Sequence, residues 1–313
     1  MKILVMGAGG VGGYFGARLA QAGHEVAFVA RGKHLEAMRA KGLSLKSPLG
    51  DATIKVKAAE NPAELGQAEV VLFAVKLWDT ESAAERIRPL VAKGGSVIPF
   101  QNGVESIERV GSVLGAERVM GGAAYIAGRI GEPGVIVQTG TMARLRFGPV
   151  LPAQRKTAEA FLAACKEAKI DAELTDDIVR VLWEKFVLLV AVSATTTVTR
   201  TNLGVVRADP DLKWLLEACM RETWALGRKK GVKLADDLVA QTLKFVDGLP
   251  AEMRASMAAD LEAGGKLEAP WLSGAVARMS REAGLEAPVN RAVFAALKPY
   301  VNGDRPHLPE ANA

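Results

Sequence analysis

Two stretches of the chain carry residues whose types and spacing bear on chemistry. The first is GAGGVG, with Gly7, Gly9 and Gly12 spaced as G-x-G-x-x-G directly after the apolar KILVM. In such a turn the first glycine permits the tight bend, the second lets a pyrophosphate approach the backbone, and the third lets a helix pack on the strand. The backbone of Gly7, Ala8, Gly9, Gly10, Val11 and Gly12 would then present a helix N-terminus, with free N–H groups and a partial positive charge, to an anion. Dinucleotide binding is the predicted chemistry, and a glycine-rich structural turn is the plainer alternative. The second stretch is VLWEKFVLLVAVSATTTV, in which Lys185 heads a run, Phe186 to Thr199, without a charged side chain. Burying an ammonium is costly unless something pairs with it. A lysine there either snorkels from a helix end to water or is placed for a purpose, and the run alone leaves both open.

Three further positions stand where ligands are bound in open α/β sheets. The second predicted strand ends in VARGKH, and Arg31 occupies the place where NAD sites usually carry an acid. A guanidinium suits phosphate, so the pattern favours the 2′-phosphate of NADP over NAD, with Lys33 as an auxiliary cation and a solvated loop arginine as the alternative. FAVK closes the next long strand and puts Lys76 at its carboxyl end. PFQNGV does the same for Asn102, although Asn-Gly also makes an ordinary turn.

The elements needed to position these residues are legible as a pattern. KILVM, HEVAFVA, AEVVLFAV and GSVIPF read as apolar strands, and helical patterns over about Gly10–Ala22, Lys33–Ala40 and DTESAAERIRPLV separate them. That alternation predicts a Rossmann-type, doubly wound parallel sheet. LSLKS and ATIKVKA, joined through PLGD, add two short strands. From Val119 to Phe147 short β segments punctuated by GEPG and TGT are expected to extend the sheet, with a helix over about Ala153–Ala168 and a strand over Asp171–Leu174. After Thr175 strand signals stop, and helical periodicity runs from Asp176 to about Lys298 before a tail, NGDRPHLPEANA, that reads as frayed. The predicted organisation is an α/β domain over residues 1–174 and an all-helical domain over 175–313.

Composition excludes several other kinds of chemistry. Of 313 residues, 49% are hydrophobic and 24% charged, and the net charge of +5 is spread along the chain with no basic stripe for nucleic acid. Cys165 and Cys219 have neither metal nor redox spacing, and His24, His34 and His307 are scattered, so no metal site is expected. The glycines and Arg18 interrupt what would otherwise resemble a signal peptide, and no segment approaches the roughly 18 apolar residues of a membrane span. A cytoplasmic protein without nucleic-acid or membrane partners is the expectation.

Along nearly its whole length the chain resembles the ketopantoate reductase (2-dehydropantoate 2-reductase) family. The stretches that carry the resemblance are GAGGVGGYFGARLAQAGHEVAFVARG, SPLGD, FAVK, QNGVE, WEKF, SMAADLEAGGKLE and LSGAV. The first is common among nucleotide-binding proteins, whereas QNG, WEK and SM-x-x-D-x-E-x-G-x-x-x-E together are specific. The resemblance implies reduction of the 2-keto group of 2-dehydropantoate by NADPH to give pantoate, a step toward pantothenate and coenzyme A. It implies Lys185 as general acid with Glu268 beside it at the catalytic centre. Ser256, Ser193 and Asn102 are implied as substrate contacts, with Asn102 also near the nicotinamide, and Arg31 and Lys76 in the cofactor site. A homodimer is compatible with it. The best-known members carry asparagines four and eight residues after the lysine, where this chain has Leu189 and Ser193, so the particular keto acid is left open. Two alternatives remain: an NADPH-dependent reductase of another 2-keto acid or a β-hydroxyacid-type dehydrogenase, and a non-catalytic NADPH-binding redox sensor. The presence of Lys185, Ser256 and Glu268 argues against the sensor.

Overall fold

A computed structural model describes residues 1–303. The predicted tail beyond Gly303, His307 included, lies outside the described residues. The first unit opens with strand β1 (Lys2–Met6), helix α1 (Gly10–Gln21), β2 (Glu25–Val29), α2 (Gly32–Lys41), β3 (Leu43–Lys46), β4 (Ala52–Ile54) and β5 (Lys57–Ala59). It continues through β6 (Ala68–Phe73), α3 (Thr80–Ile87), β7 (Val91–Pro99), α4 (Ser106–Leu114), β8 (Gly121–Ile130), β9 (Val135–Gly148), α5 (Arg155–Glu167) and β10 (Asp171–Leu174).

Five strands form a parallel sheet in the order β5-β2-β1-β6-β7. The apolar runs are continuous because both faces are covered. In β1, Ile3 and Val5 face a core shared with α1 and α5, and Leu4 and Met6 face a second core built with α3 and α4. The strands end in step, with Met6 opposite both Val29 and Phe73, and Phe73 opposite Pro99. Their following loops are therefore gathered at one edge.

The segments expected to extend this sheet instead build a second one, in the order β10-β9-β3-β4, with β8 paired to β9. Two features of the chain bring this about. ATIKVKA splits, so that β4 pairs antiparallel with β3 while β5, two residues later, joins β2 in the first sheet. The β8–β9 ladder is interrupted between Ile126 and Ala127, where the partner on β9 jumps from Ala143 to Thr139. The interruption divides β9 into a half that pairs with β3 and a half that pairs with β10. A bulge of this kind re-aims a strand.

Helix α1 lies between the two sheets, and its glycines make that possible. A Cβ on Gly16 would come within 2.6 Å of Val5 and Phe28 in the first sheet, and one on Gly13 within 2.8 Å of Ile136 in the second. A Cβ on Gly10 would collide with the Gly128 carbonyl of β8.

The second compact unit begins at Trp183, so the chain divides within a helix, α6 (Ile178–Val198). The boundary expected after residue 174 precedes that helix. The first turn of α6 belongs to the α/β unit, because Ile178, Val181 and Leu182 form a buried cluster with Ala123 of β8. The remainder is helical: α7 (Leu203–Ala208), α8 (Pro210–Lys229), α9 (Leu238–Asp247), α10 (Ser256–Glu262), α11 (Ser273–Glu282) and α12 (Pro288–Leu297). Helix α8 is central, packing against α7, α9, α11 and α12. Asp209 caps it, accepting from the N–H groups of Asp211 and Leu212 at 2.9 Å, with Pro210 in the first turn. No helix among the described residues is long and apolar enough to cross a membrane.

Candidate active site

The carboxyl edge of the parallel sheet collects four of the sequence-singled loops. Running along the order β2-β1-β6-β7, they carry Arg31, the glycine-rich turn, Lys76 and Asn102. The strand order reverses beside β1, which is where open α/β sheets form their ligand crevice. The turn hugs the sheet on one side: Gly7 has φ of +102°, and a Cβ there would come within 2.9 Å of the Ala74 backbone. A Cβ on Gly9, by contrast, would meet nothing within 4 Å. Gly9 caps α1, and the N–H groups of that helix's first turn have no acceptor within the helix. A glycine whose side-chain space is open, beside unsatisfied amides, is the cradle that a pyrophosphate requires, so the residues present fit a dinucleotide.

Arg31 is the N-cap residue before α2, and its side chain is 78% exposed, with the guanidinium 3.5 Å from the Asp79 carboxylate. An acid therefore does stand near this position, supplied by the β6 loop rather than by the end of β2. Lys76 is exposed, and its ammonium lies 5.5 Å above the Trp78 ring. Asn102 is half-buried. Its neighbour Gln101, whose role the sequence pattern does not reveal, donates to the Val75 carbonyl at 3.0 Å and to Thr80 Oγ1 at 2.9 Å. Gln101 thereby joins the loop carrying Asn102 to the loop carrying Lys76. His34, one of the scattered histidines, also reaches this edge, and its ring touches the Ala8 carbonyl at 3.0 Å. The signals available were QNG for the one and R-G-x-H for the other, and neither tells which way a side chain turns.

In the helical unit, Lys185 and Glu268 interact. Desolvation lowers the lysine's pKa from its ordinary 10.5 to about 8, and the Glu268 charge opposes that fall. Glu268 is 7% exposed, and Lys185 keeps only partial exposure. Helix α6 places Ser193 two turns beyond Lys185, about 12 Å along the axis, and 2% exposed. Leu189 stands between them, half-buried. Ser256 is exposed at the start of α10, and its preceding residue Ala255 donates from its N–H to Thr196 Oγ1 of α6 at 3.3 Å. The unit thus brings Lys185 and Glu268 into one electrostatic environment and ties the residue before Ser256 to a later turn of the same helix.

The family description ketopantoate reductase PanE/ApbA matches residues 3–152, and its C-terminal counterpart matches residues 177–301. The chain belongs to the ketopantoate reductase family. It is an oxidoreductase of that family and shares its fold. Ketopantoate reductase relatives span it almost end to end: a 2-dehydropantoate 2-reductase of Archaeoglobus fulgidus is 30% identical over 96% of this chain and 98% of its own length. An uncharacterized oxidoreductase, YkpB, of Bacillus subtilis is 29% identical over 96% of this chain and 99% of its own. Among solved structures, a PanE/ApbA family ketopantoate reductase of Ralstonia eutropha superposes with a TM-score of 0.88 at 32% identity, covering 96% of this chain and 98% of that one.

Proposed function

We propose that this protein reduces the 2-keto group of a 2-keto acid with NADPH, and that 2-dehydropantoate is its substrate. The observation that carries the reading is the Lys185 ammonium, desolvated to a pKa of about 8 beside the buried carboxylate of Glu268. A general acid is most effective when its pKa lies near the working pH. Lys185 stabilises the negative charge that develops on the keto oxygen and then donates its proton to that oxygen. Glu268 offsets the ammonium before reaction and accepts from a substrate hydroxyl, while Ser256 holds the substrate carboxylate. Ser193 and Asn102 complete the substrate contacts.

The nicotinamide cofactor supplies the hydride when bound. The turn opened by Gly7 and Ala8 would hold its pyrophosphate with the backbone N–H groups of Gly9, Gly10, Val11 and Gly12, Arg31 would hold the 2′-phosphate, and Lys76 and Asn102 would line the remainder of its site. That the relatives are named 2-dehydropantoate 2-reductase supports the choice of substrate. The half-buried Leu189 and the short Ser193 leave the stripe beyond Lys185 less able to hydrogen-bond than a pair of amides would be. Steady-state rates of NADPH oxidation with 2-dehydropantoate, 2-ketoisovalerate and a panel of other 2-keto acids test the reading. The expected result is highest kcat/KM for 2-dehydropantoate, with discrimination against 2-ketoisovalerate of less than several orders of magnitude. Turnover of another keto acid in preference would move the substrate assignment, and no turnover of any would overturn the reading.

A further inference from the structure

We infer that His34 is a positioning residue for the cofactor site: its ring holds the Ala8–Gly9 peptide in one orientation, so that the glycine-rich turn presents its amides outward. This rests on the reading of Gly7–Gly12 as a pyrophosphate site. His34 lies in the first turn of α2, half-buried, and bridges two segments far apart in sequence. The Gly134 N–H donates to its Nδ1 at 2.9 Å. Because Nδ1 is thereby an acceptor, the neutral imidazole carries its proton on Nε2. That nitrogen lies 3.0 Å from the Ala8 carbonyl and donates to it. Gly134 is itself fixed: it has φ of +81°, and its carbonyl accepts from the Ser44 N–H at 2.9 Å. Burial lowers the pKa of the ring and so favours the neutral form, in which one nitrogen can accept.

The target of the clamp explains its use. Ala8 is 4% exposed, and both its polar groups are committed, the N–H to the Val29 carbonyl at 3.2 Å and the carbonyl to His34. In a trans peptide the carbonyl and the following N–H point in opposite directions. With the Ala8 carbonyl turned toward α2, the Gly9 N–H faces the other way. A flip of the Ala8–Gly9 peptide would turn ψ of Ala8 and φ of Gly9, and the glycine tolerates a change of φ that other residues resist. The planes on either side are held by the Ala8 N–H on Val29 and by the Gly9 carbonyl, which accepts from the Gly13 N–H at 2.7 Å, and the imidazole fixes the carbonyl between them.

The test measures binding of ADP-ribose, which has the pyrophosphate and lacks the 2′-phosphate, and of adenosine 2′-monophosphate, which has the reverse. The parent is compared with His34→Met, which fills similar space without hydrogen bonds, and with His34→Gln, which can donate and accept. Loss of one hydrogen bond of ordinary strength predicts that His34→Met weakens ADP-ribose, NADPH and NADH alike by roughly tenfold. It should leave adenosine 2′-monophosphate, and kcat at saturating NADPH, within about twofold, and His34→Gln should recover most of the loss. ADP-ribose bound equally by the parent and His34→Met overturns the role of His34, as does an equal loss of both ligands, which would mark general loosening. A parent that binds no ADP-ribose overturns the pyrophosphate site and this inference with it. Nitrogen NMR of the His34 ring in the parent serves even if the variants do not fold: protonation at Nδ1 rather than Nε2 overturns the clamp.

Discussion

At Lys185 the environment favours the functional one of the two readings that its sequence context leaves open. A snorkelling lysine would keep its ordinary pKa, whereas this ammonium is desolvated enough to titrate near pH 8. As the proposed acid it must be protonated to act, so kcat for keto reduction should be level below about pH 8 and fall as pH rises through that value. Stability should move the other way. Between about pH 8 and the ordinary 10.5 the unfolded chain holds a proton that the folded one has released, so this group's contribution to stability rises with pH. Lys185→Ala should lower kcat by roughly 10²–10⁴ with NADPH affinity nearly unchanged, measured on the folded variant; turnover within threefold of the parent would restore the snorkelling reading. At the other site, the 3.5 Å pair with Asp79 is loose, so Arg31 remains available to a phosphate. Arg31→Ala should raise the KM for NADPH about tenfold and affect NADH far less. Asp79→Asn should lower the KM for NADPH a fewfold by removing a competing carboxylate. Equal shifts with NADH in either variant would remove Arg31 from the 2′-phosphate.

Among the elements, α1 and its cap combine the proposed pyrophosphate site with close packing between two sheets, and different glycines serve each. Gly9 faces open space, and its φ of −79° suits any residue. Gly9→Ala should therefore leave the melting temperature within a degree or two while weakening ADP-ribose binding, because the methyl occupies the approach of the pyrophosphate. Gly10 meets backbone of β8, which cannot move aside as a side chain can. Gly10→Ala should cost about 1–3 kcal/mol of stability, read by chemical denaturation. If Gly10→Ala proved as stable as the parent, the close seating of α1 on the second sheet would be wrong. The same seating explains why the motif continues as GGVGGYFG: a helix between two sheets needs small residues on both faces.

For the molecule as a whole, the chain is divided by packing and not by the change in sequence pattern. Helix α6 contributes its first turn to the α/β unit, where Ile178 is 1% exposed against Ala123, Val181 and Leu182. A Cβ on Gly121 would meet Ile178 at 2.6 Å, which shows how closely the strand is seated there. Ile178→Ala should cost about 2–4 kcal/mol, the usual range for emptying such a site. Thermal unfolding followed by circular dichroism checks it, and a loss under half a kcal/mol would mean that the helix start contributes nothing to the α/β core.

Periodicity and spacing by themselves determined the parallel sheet, the glycine turn, the helical C-terminal half and the positions of Arg31, Lys76, Asn102 and Lys185. These are local properties, set by which residues alternate and where glycine and proline fall. Tertiary structure decided what local pattern does not encode. A strand's residues do not name its partner, so only pairing could show that β3, β4, β8, β9 and β10 form a second sheet. Asp79 meets Arg31, His34 meets Ala8 and Gln101 meets Val75 across loops well separated in sequence. Lys185 on α6 and Glu268 between α10 and α11 likewise come from distant segments of one unit. Each of these contacts depends on the direction of a side chain after the chain has folded, because desolvation and hydrogen-bond geometry are properties of the packed state.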